Sequence, residues 1–234
     1  MTAVIRKRKG DYHPDHINYT VNPYTGCCHG CVYCYSTKSK CWTSRAKKWN
    51  KNPEQPTPKE NVLTKFIKDM ESLKDIPLNE KILQIGNFAD VYQPIEKEFK
   101  ITRSMLILLL TEHPEWEVHI MTKSDLILRD IDILKRMKNI QVEITITTLT
   151  HDKQFEPNVS SSEMRLKTVK ELSDNGIFVR VIIVPVLKGY TDVEAIKKIS
   201  TQNGAKDFIV DSLHESSYKD LTLEKLEQKY GIHL

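Results

Sequence analysis

The sequence predicts an α/β fold, a partial (βα)6 barrel of parallel strands, and three observations carry that prediction. From about Lys81 onward, short β-branched runs alternate with helical patterns. The strand starts recur 25 to 36 residues apart, the spacing of a strand, a crossover helix and the next parallel strand. The strands also place polar residues among apolar ones, which suits a polar-lined interior.

The elements follow in order. A first strand lies near Ile17 to Val21, and a helix runs from Pro58 to about Leu73, with Thr57 as its cap, Pro58 at its first position and Glu60 completing a capping-box start. The next strands are Ile82 to Ile85, Glu117 to Met121, Val142 to Thr147, Phe178 to Val186 and Asp207 to Val210, which makes six in all. Between them Met164, Leu166, Val169 and Leu172 form a helical stripe that begins after Ser160 to Ser162 and stops at Asn175-Gly176. Another helix runs from about Val193 to Ile199 behind Thr191-Asp192. Leu221 to Tyr230 reads as a short amphipathic helix over an edge or a barrel end.

Repeated right-handed crossovers without a Gly-x-Gly-x-x-Gly fingerprint leave two architectures, an open doubly wound sheet or an incomplete barrel. The strand faces favour the barrel. Val142, Ile144 and Ile146 suit packing on helices, while Glu143, Thr145 and Thr147 lie opposite, and Gln84, His119 and Arg180 are similarly placed among apolar neighbours. A Glu143–Arg180 pair near the strand starts would sit on the stability side of such a barrel, whereas Asn87, Lys123 and Thr147 fall at carboxyl ends, where active sites gather.

The chain has 234 residues, 28% of them charged, and no apolar run near the ~18 residues of a membrane span. The longest such run, Val181 to Leu187, is interrupted by Pro185, and Met1 to Gly10 lacks the features of a secretory signal. These features predict a cytoplasmic protein with one domain over 1–234. Residues 1–52 hold ten Lys or Arg against two acids, so a basic N-terminal segment surrounds the cysteines.

Four of the five cysteines, Cys27, Cys28, Cys31 and Cys34, fall within eight residues, with Cys41 close behind. In a reducing compartment such clustering points to a metal or redox centre rather than a disulfide framework. The spacing Cys27-x3-Cys31-x2-Cys34 brings three thiolates around one centre in a tight loop, with Gly26 and Gly30 giving backbone freedom. Three ligands on a four-iron cluster leave one iron open, whereas a structural zinc wants four. A zinc knot completed by Cys41, Cys28 or His29 is the alternative, and His29 reads otherwise as a loop residue.

Cys-x3-Cys-x2-Cys with Tyr33 before the last cysteine resembles the signature of the radical S-adenosylmethionine (SAM) superfamily. The lead-in Asn22-Pro23-Tyr24-Thr25-Gly26 and the following Tyr35 resemble the branch of spore photoproduct lyase. So do Gln93-Pro94-Ile95-Glu96-Lys97 with Thr102-Arg103, Thr122-Lys123-Ser124 with Arg129-Asp130, and Glu156-Pro157 with Glu163-Met164-Arg165-Leu166. Together these blocks cover about residues 18 to 192.

The resemblance implies an enzyme in which Cys27, Cys31 and Cys34 ligate a [4Fe-4S] cluster whose open iron chelates SAM. One electron from a reductase or flavodoxin-like donor then cleaves the cofactor to a 5′-deoxyadenosyl radical that abstracts a substrate hydrogen. Tyr33 matches the aromatic near the adenine. Gly86, Asn87 and Asp90 fall where the family binds the methionine amino group, although the segment reads Gly-Asn-Phe-Ala-Asp rather than Gly-Gly-Glu. Lys123 is a partner for the methionine carboxylate, and Thr145 or Thr147 for the ribose hydroxyls. A solvated strand-end lysine is the bland reading of Lys123. Glu156 and Arg165 are expected to form an ion pair in the loop after the fourth strand, outside the strand ends.

The resemblance is weakest for the lyase's own reaction, the repair of a thymine dimer, in which Cys41 or Cys28, brought in by a loop folded over the barrel mouth, would have to replace a hydrogen-donating cysteine near the end of the second strand. Residues 86–90 contain none. Between Tyr35 and Pro53 lie six basic residues (Lys38, Lys40, Arg45, Lys47, Lys48, Lys51), no acids, and Trp42 and Trp49. Basic side chains interleaved with aromatics suit a phosphate backbone with stacked bases, which predicts a nucleic-acid substrate; a merely solvated basic loop is the alternative. Against the enzyme stands a non-catalytic metal module, either a zinc-stabilised binding protein or an iron–sulfur electron carrier.

Overall fold

The computed structural model describes residues 3–8, 16–34, 36, 52 and 54–212. The expected helix at Leu221 to Tyr230, the basic run from Lys38 to Lys51, Tyr35 and Cys41 lie outside the described residues.

One sheet dominates. Its strands are β1 (Ile5–Lys7), β2 (Tyr19–Val21), β5 (Ile82–Ile85), β6 (Glu117–Thr122), β7 (Ile140–Thr145), β8 (Phe178–Val186) and β9 (Asp207–Ser212), in that spatial order. β1 pairs antiparallel with β2, and every other pairing is parallel. The six parallel strands are the expected ones, shifted by one or two residues at some ends. The antiparallel β1 is an addition. Its first residues are tied to the helix layer, with Val4 N and Ile5 N donating to Asp69 Oδ2 at 2.7 and 2.9 Å.

The two faces of the sheet differ, as the alternation required. Val21, Ile85, Ile120, Val142 and Val179 are register partners, forming one apolar row across β2, β5, β6, β7 and β8. They are buried with Phe66 and Met70 of α1 (Val62–Ser72), Met105, Leu106 and Leu109 of α3 (Ile101–Glu112), Val169 and Leu172 of α6 (Ser162–Asp174), and Ile196 of α7 (Val193–Gln202). Each such side chain contributes about 1.5–3 kcal/mol by leaving water. Between α1 and α6 lie three short helices, α2 (Glu96–Phe99), α4 (Ile131–Leu134) and α5 (Asp152–Phe155).

The opposite face lines the interior and is polar. Buried Glu143 accepts from Gln84 Nε2 at 3.2 Å, Gln141 Nε2 at 3.3 Å and Arg180 Nη1 at 3.4 Å, so the expected Glu143–Arg180 pair is present. Arg180 continues to Asp207 at 2.6 Å. His119 sits between Glu143 and Glu117, at 3.6 and 2.6 Å. Burial opposes protonation of His119, but the two carboxylates outweigh it and hold its pKa above the ordinary value.

The first helix departs from expectation. Thr57 and Pro58 form no helix start: they are strand β4 (Thr57–Pro58), paired antiparallel with β3 (Tyr24–Thr25), and α1 begins at Val62 after Asn61 at φ 51°. Pro58 lacks an N–H, which an edge strand tolerates as readily as a helix N-terminus does. Here the pairing fixes the entry to the cysteine loop, and Lys59 N extends it by donating to Pro23 O at 3.0 Å.

Candidate functional site

The cysteines occupy the loop beyond β2, at the carboxyl ends of the parallel strands, and three neighbouring segments hold that loop. Asn22, directly after β2, accepts from Phe88 N and Ala89 N at 3.0 and 3.2 Å, and its Nδ2 donates to Asn87 Oδ1 at 2.8 Å. Tyr24 donates from its hydroxyl to buried Glu96, which also pairs with Arg129 at 2.9 Å. Gln93, wholly buried, donates from Nε2 to Gly26 O and accepts from Cys28 N, each at 3.1 Å. From the loop after β7, Asn158 Nδ2 donates to Cys28 O at 3.0 Å, and Val32 N donates to Phe155 O at 2.9 Å. Gly26 and Gly30 take φ of 83° and 67°, the left-handed freedom the sequence indicated.

The three motif thiols lie within one another's electrostatic reach. Burial pushes Cys27 up to about 12, with Asp90 adding to the effect. Burial likewise raises Cys31, where nearby Lys123 opposes the rise and Glu156, Cys34 and Cys27 add to it. These two thiols ionise only beside compensating positive charge, and with Cys34 they form a donor set for a soft, cationic metal centre. Among the described residues no three His, Cys, Asp or Glu side chains gather at the spacing of a single metal ion.

Tyr33 is buried with its hydroxyl 2.9 Å from Thr147 Oγ1. It also donates to Glu156 Oε1, which Thr147 Oγ1 reaches at 3.3 Å. Glu156 Oε2 accepts from Arg165 Nη2, and Arg165 Nη1 donates to Thr145 O at 2.7 Å. Glu156 and Arg165 are 1% and 0% exposed, so this pair has little contact with water. Burial raises the Glu156 pKa, but Arg165, Lys123 and the Tyr33 hydroxyl together lower it below the ordinary carboxylate value.

Lys123 is half-buried, with Nζ 5.9 Å from the Tyr33 ring centroid. Burial works against its charge, and the Cys31 and Glu156 fields outweigh burial to raise its pKa. It is not the freely solvated lysine of the bland reading.

Gly86, at φ 95°, has no room for a side chain: a Cβ there would stand 2.8 Å from Met121 O. Asp90 accepts from Tyr92 N and Thr122 Oγ1 through Oδ1, at 2.9 and 2.7 Å, and from Lys123 N through Oδ2 at 2.7 Å. His29, expected as a loop residue, is 4% exposed with Nδ1 3.5 Å from Asp90 Oδ2. The structure therefore gathers Tyr33, Lys123 and Thr147 near Cys31, with Asp90 tying the β5 and β6 ends to the cysteine loop. Thr145 is buried one step further inside β7.

Sequence reasoning placed the Glu156–Arg165 pair outside the strand ends; the ion pair forms, but it reaches inward to Tyr33 and Thr147. Gln93 and Asn158 are loop clamps that sequence reasoning does not single out. Gln93 lay in plain view within the Gln93-Pro94-Ile95-Glu96 block, an amide at the head of a turn that also supplies Glu96.

A cavity of about 310 Å³ adjoins the loop, lined by His29, Tyr92, Lys97, Arg129, Asn158 and Ser160 among others. A larger one of about 450 Å³ lies by Trp116 and Met137 at the strands' amino ends, remote from the cysteines.

A partial parallel barrel whose first parallel strand leads into a three-cysteine loop at the carboxyl mouth is the architecture of an enzyme class that carries an iron–sulfur cluster and SAM. Residues 21–199 match the sequence profile of the Radical SAM superfamily, and the chain belongs to that superfamily. An uncharacterized protein of Methanocaldococcus jannaschii is 33% identical over 183 residues, 76% of this chain and 64% of its own length. An uncharacterized protein of Mycobacterium tuberculosis is 24% identical over 182 residues, 74% of this chain and 51% of its own. The chain thus spans between about half and just under two thirds of these relatives.

A tyrosine-to-phenylalanine mutant of spore photoproduct lyase superposes with TM-score 0.65 at 15% identity, over 94% of this chain and 66% of that one. Another mutant of that lyase, with bound AdoMet and dinucleoside spore photoproduct, gives 0.59 at 15% identity, over 95% and 75%. Streptococcus suis SuiB bound to the precursor peptide SuiA gives 0.57 at 16% identity, over 90% and 44%. These likenesses concern the fold. The superfamily's cofactors are a [4Fe-4S] cluster and SAM.

Proposed function

We propose that this protein is a radical SAM enzyme in which Cys27, Cys31 and Cys34 hold the cluster and the substrate is a nucleic acid. The observation that carries the reading is the three-thiol loop at the carboxyl mouth of the barrel, with the half-buried Lys123 Nζ 5.9 Å from the ring centroid of Tyr33 within that loop. The donor set fits: burial holds the Cys27 and Cys31 thiols neutral in the protein alone, and they become thiolates when a cationic cluster offsets the loss of water. When bound, the cluster and SAM supply a 5′-deoxyadenosyl radical able to take a hydrogen atom from a substrate.

The chain's own residues bind and orient. Lys123 would pair with the methionine carboxylate, and Tyr33, held by Thr147 and Glu156, would hold the adenine. Thr147 and Thr145 would serve the ribose hydroxyls, and Gly86 and Asn87 the methionine amino group. Asp90, with its oxygens engaged by Tyr92 N, Thr122 and Lys123 N, holds that wall in place. Residues 1–234 act as one domain, supported by β1 joining the barrel sheet. A reductase or flavodoxin-like protein is the proposed electron donor. No helix among the described residues is long and apolar enough to cross a membrane, and the proposed site of action is the cytoplasm.

The nucleic-acid assignment rests on the basic, tryptophan-bearing run from Lys38 to Lys51. Anaerobic reconstitution with iron and sulfide is expected to give a brown, oxygen-sensitive protein that cleaves SAM, with zinc uptake instead overturning the enzyme. Single-stranded DNA and RNA are expected to bind with a steep salt dependence. Unchanged binding after neutralising Lys38, Lys40, Arg45, Lys47, Lys48 and Lys51 would remove nucleic acid as the substrate class.

A further inference from the structure

Gln93 holds the cysteine loop without taking any of the cofactor-binding roles above. It is wholly buried, comes from the turn after β5, and spends both ends of its carboxamide on the backbone flanking one cysteine: Nε2 donates to Gly26 O and Oε1 accepts from Cys28 N, both at 3.1 Å. These are the backbone groups on either side of Cys27. On the far side of Cys28 the backbone is held separately, its carbonyl accepting from Asn158 Nδ2 at 3.0 Å. Gln93 is itself fixed, because Tyr92 beside it bonds Asp130 at 3.0 Å and the Gln93 carbonyl accepts from Glu96 N at 2.9 Å.

We propose that Gln93 is a positioning residue for the cluster, which sets the placement of Cys27 by clamping the peptide groups on both sides of it. The inference rests on the cluster reading above and goes beyond it by giving this residue a measurable electronic consequence. Hydrogen bonding around ligand sulfurs and the geometry of the ligand loop tune the potential of an iron–sulfur centre. With Gln93 in place the Cys28 amide is committed to an oxygen. Without it, that N–H is released beside a ligand cysteine, where a donor to sulfur stabilises the reduced cluster.

The test compares wild type, Gln93→Met and Gln93→Glu as the full, anaerobically reconstituted chain. Gln93→Met keeps the side chain's length and removes both hydrogen bonds. Gln93→Glu keeps an acceptor for Cys28 N and regains a donor for Gly26 O only when protonated. The readouts are the electron paramagnetic resonance g-values of the reduced cluster and its reduction potential, with circular dichroism as the check on folding.

The expected result is a shifted signal and a higher potential in Gln93→Met, and in Gln93→Glu a shift that returns toward wild type as pH is lowered. Unchanged g-values and potential in both variants would overturn the proposal. So would loss of folding in both, since Gln93 would then be a general packing residue. A wild-type protein that binds no iron would instead overturn the cluster assignment, so the two failures are told apart.

Discussion

Replacing Glu156 by Gln removes one negative charge from a buried pair while leaving its volume nearly unchanged. Arg165 is 0% exposed, and Glu156 is its only carboxylate partner among the described residues. Breaking a buried pair from one side costs about 3–5 kcal/mol, because the remaining ion has neither water nor a counter-charge. The hydrogen bonds from Tyr33 and Thr147 soften this only slightly, since a neutral amide oxygen still accepts them. At about 2–4 °C per kcal/mol for a chain of this size, the expected fall in melting temperature is about 6–20 °C.

The assay is urea unfolding of the metal-free protein near neutral pH, repeated with Glu156→Gln/Arg165→Met, which removes both charges. The double variant is expected to recover a large part of the loss. The pH dependence has a definite sign. Because the folded Glu156 pKa is depressed, its contribution is present above the unfolded carboxylate value of about 4.3 and is lost as pH falls through the lower folded value. A Glu156→Gln loss below about 1 kcal/mol, the size of an exposed pair, would refute the reasoning.

Gly86→Ala forces a Cβ to within 2.8 Å of the Met121 carbonyl at a φ of 95°, and is expected to destabilise the metal-free protein by about 1–3 kcal/mol in the same unfolding assay. Lys123→Met is expected to keep the iron content while weakening SAM binding at least tenfold by equilibrium dialysis; equal affinity would remove Lys123 from the carboxylate site. The raised pKa of His119 makes its contribution to stability full below about 6.5 and lost as pH rises through the higher folded value. His119→Gln is expected to flatten that part of the stability–pH curve, and an unaltered slope would contradict the pairing with Glu117 and Glu143.

Much of this architecture was legible because period and chemistry agreed. Ile82–Ile85 forms the predicted strand residue for residue. Polar residues in apolar strands became a buried interior network around Glu143. Other features depended on tertiary contacts that a linear pattern does not contain. Thr57-Pro58 satisfies a helix start and an edge strand equally well, and the partner that decides, Tyr24–Thr25, lies more than thirty residues away. The inward reach of Glu156 depends on how the loop after β7 folds back over the cysteines, and α5 with the Phe155 carbonyl to Val32 bond fixes that path. The clamp by Gln93 was hidden for a related reason: an amide side chain bonding backbone leaves no mark on the periodicity of either segment.

The central claim is that Cys27, Cys31 and Cys34 support radical chemistry at the barrel mouth. Its most direct test is production of 5′-deoxyadenosine from SAM by the reconstituted, dithionite-reduced protein, with Cys31→Ala alongside. The account predicts product from the wild type and none above background from Cys31→Ala. Product that survives the loss of Cys31, or a wild type that binds a full cluster and SAM yet yields none under reduction, would contradict it.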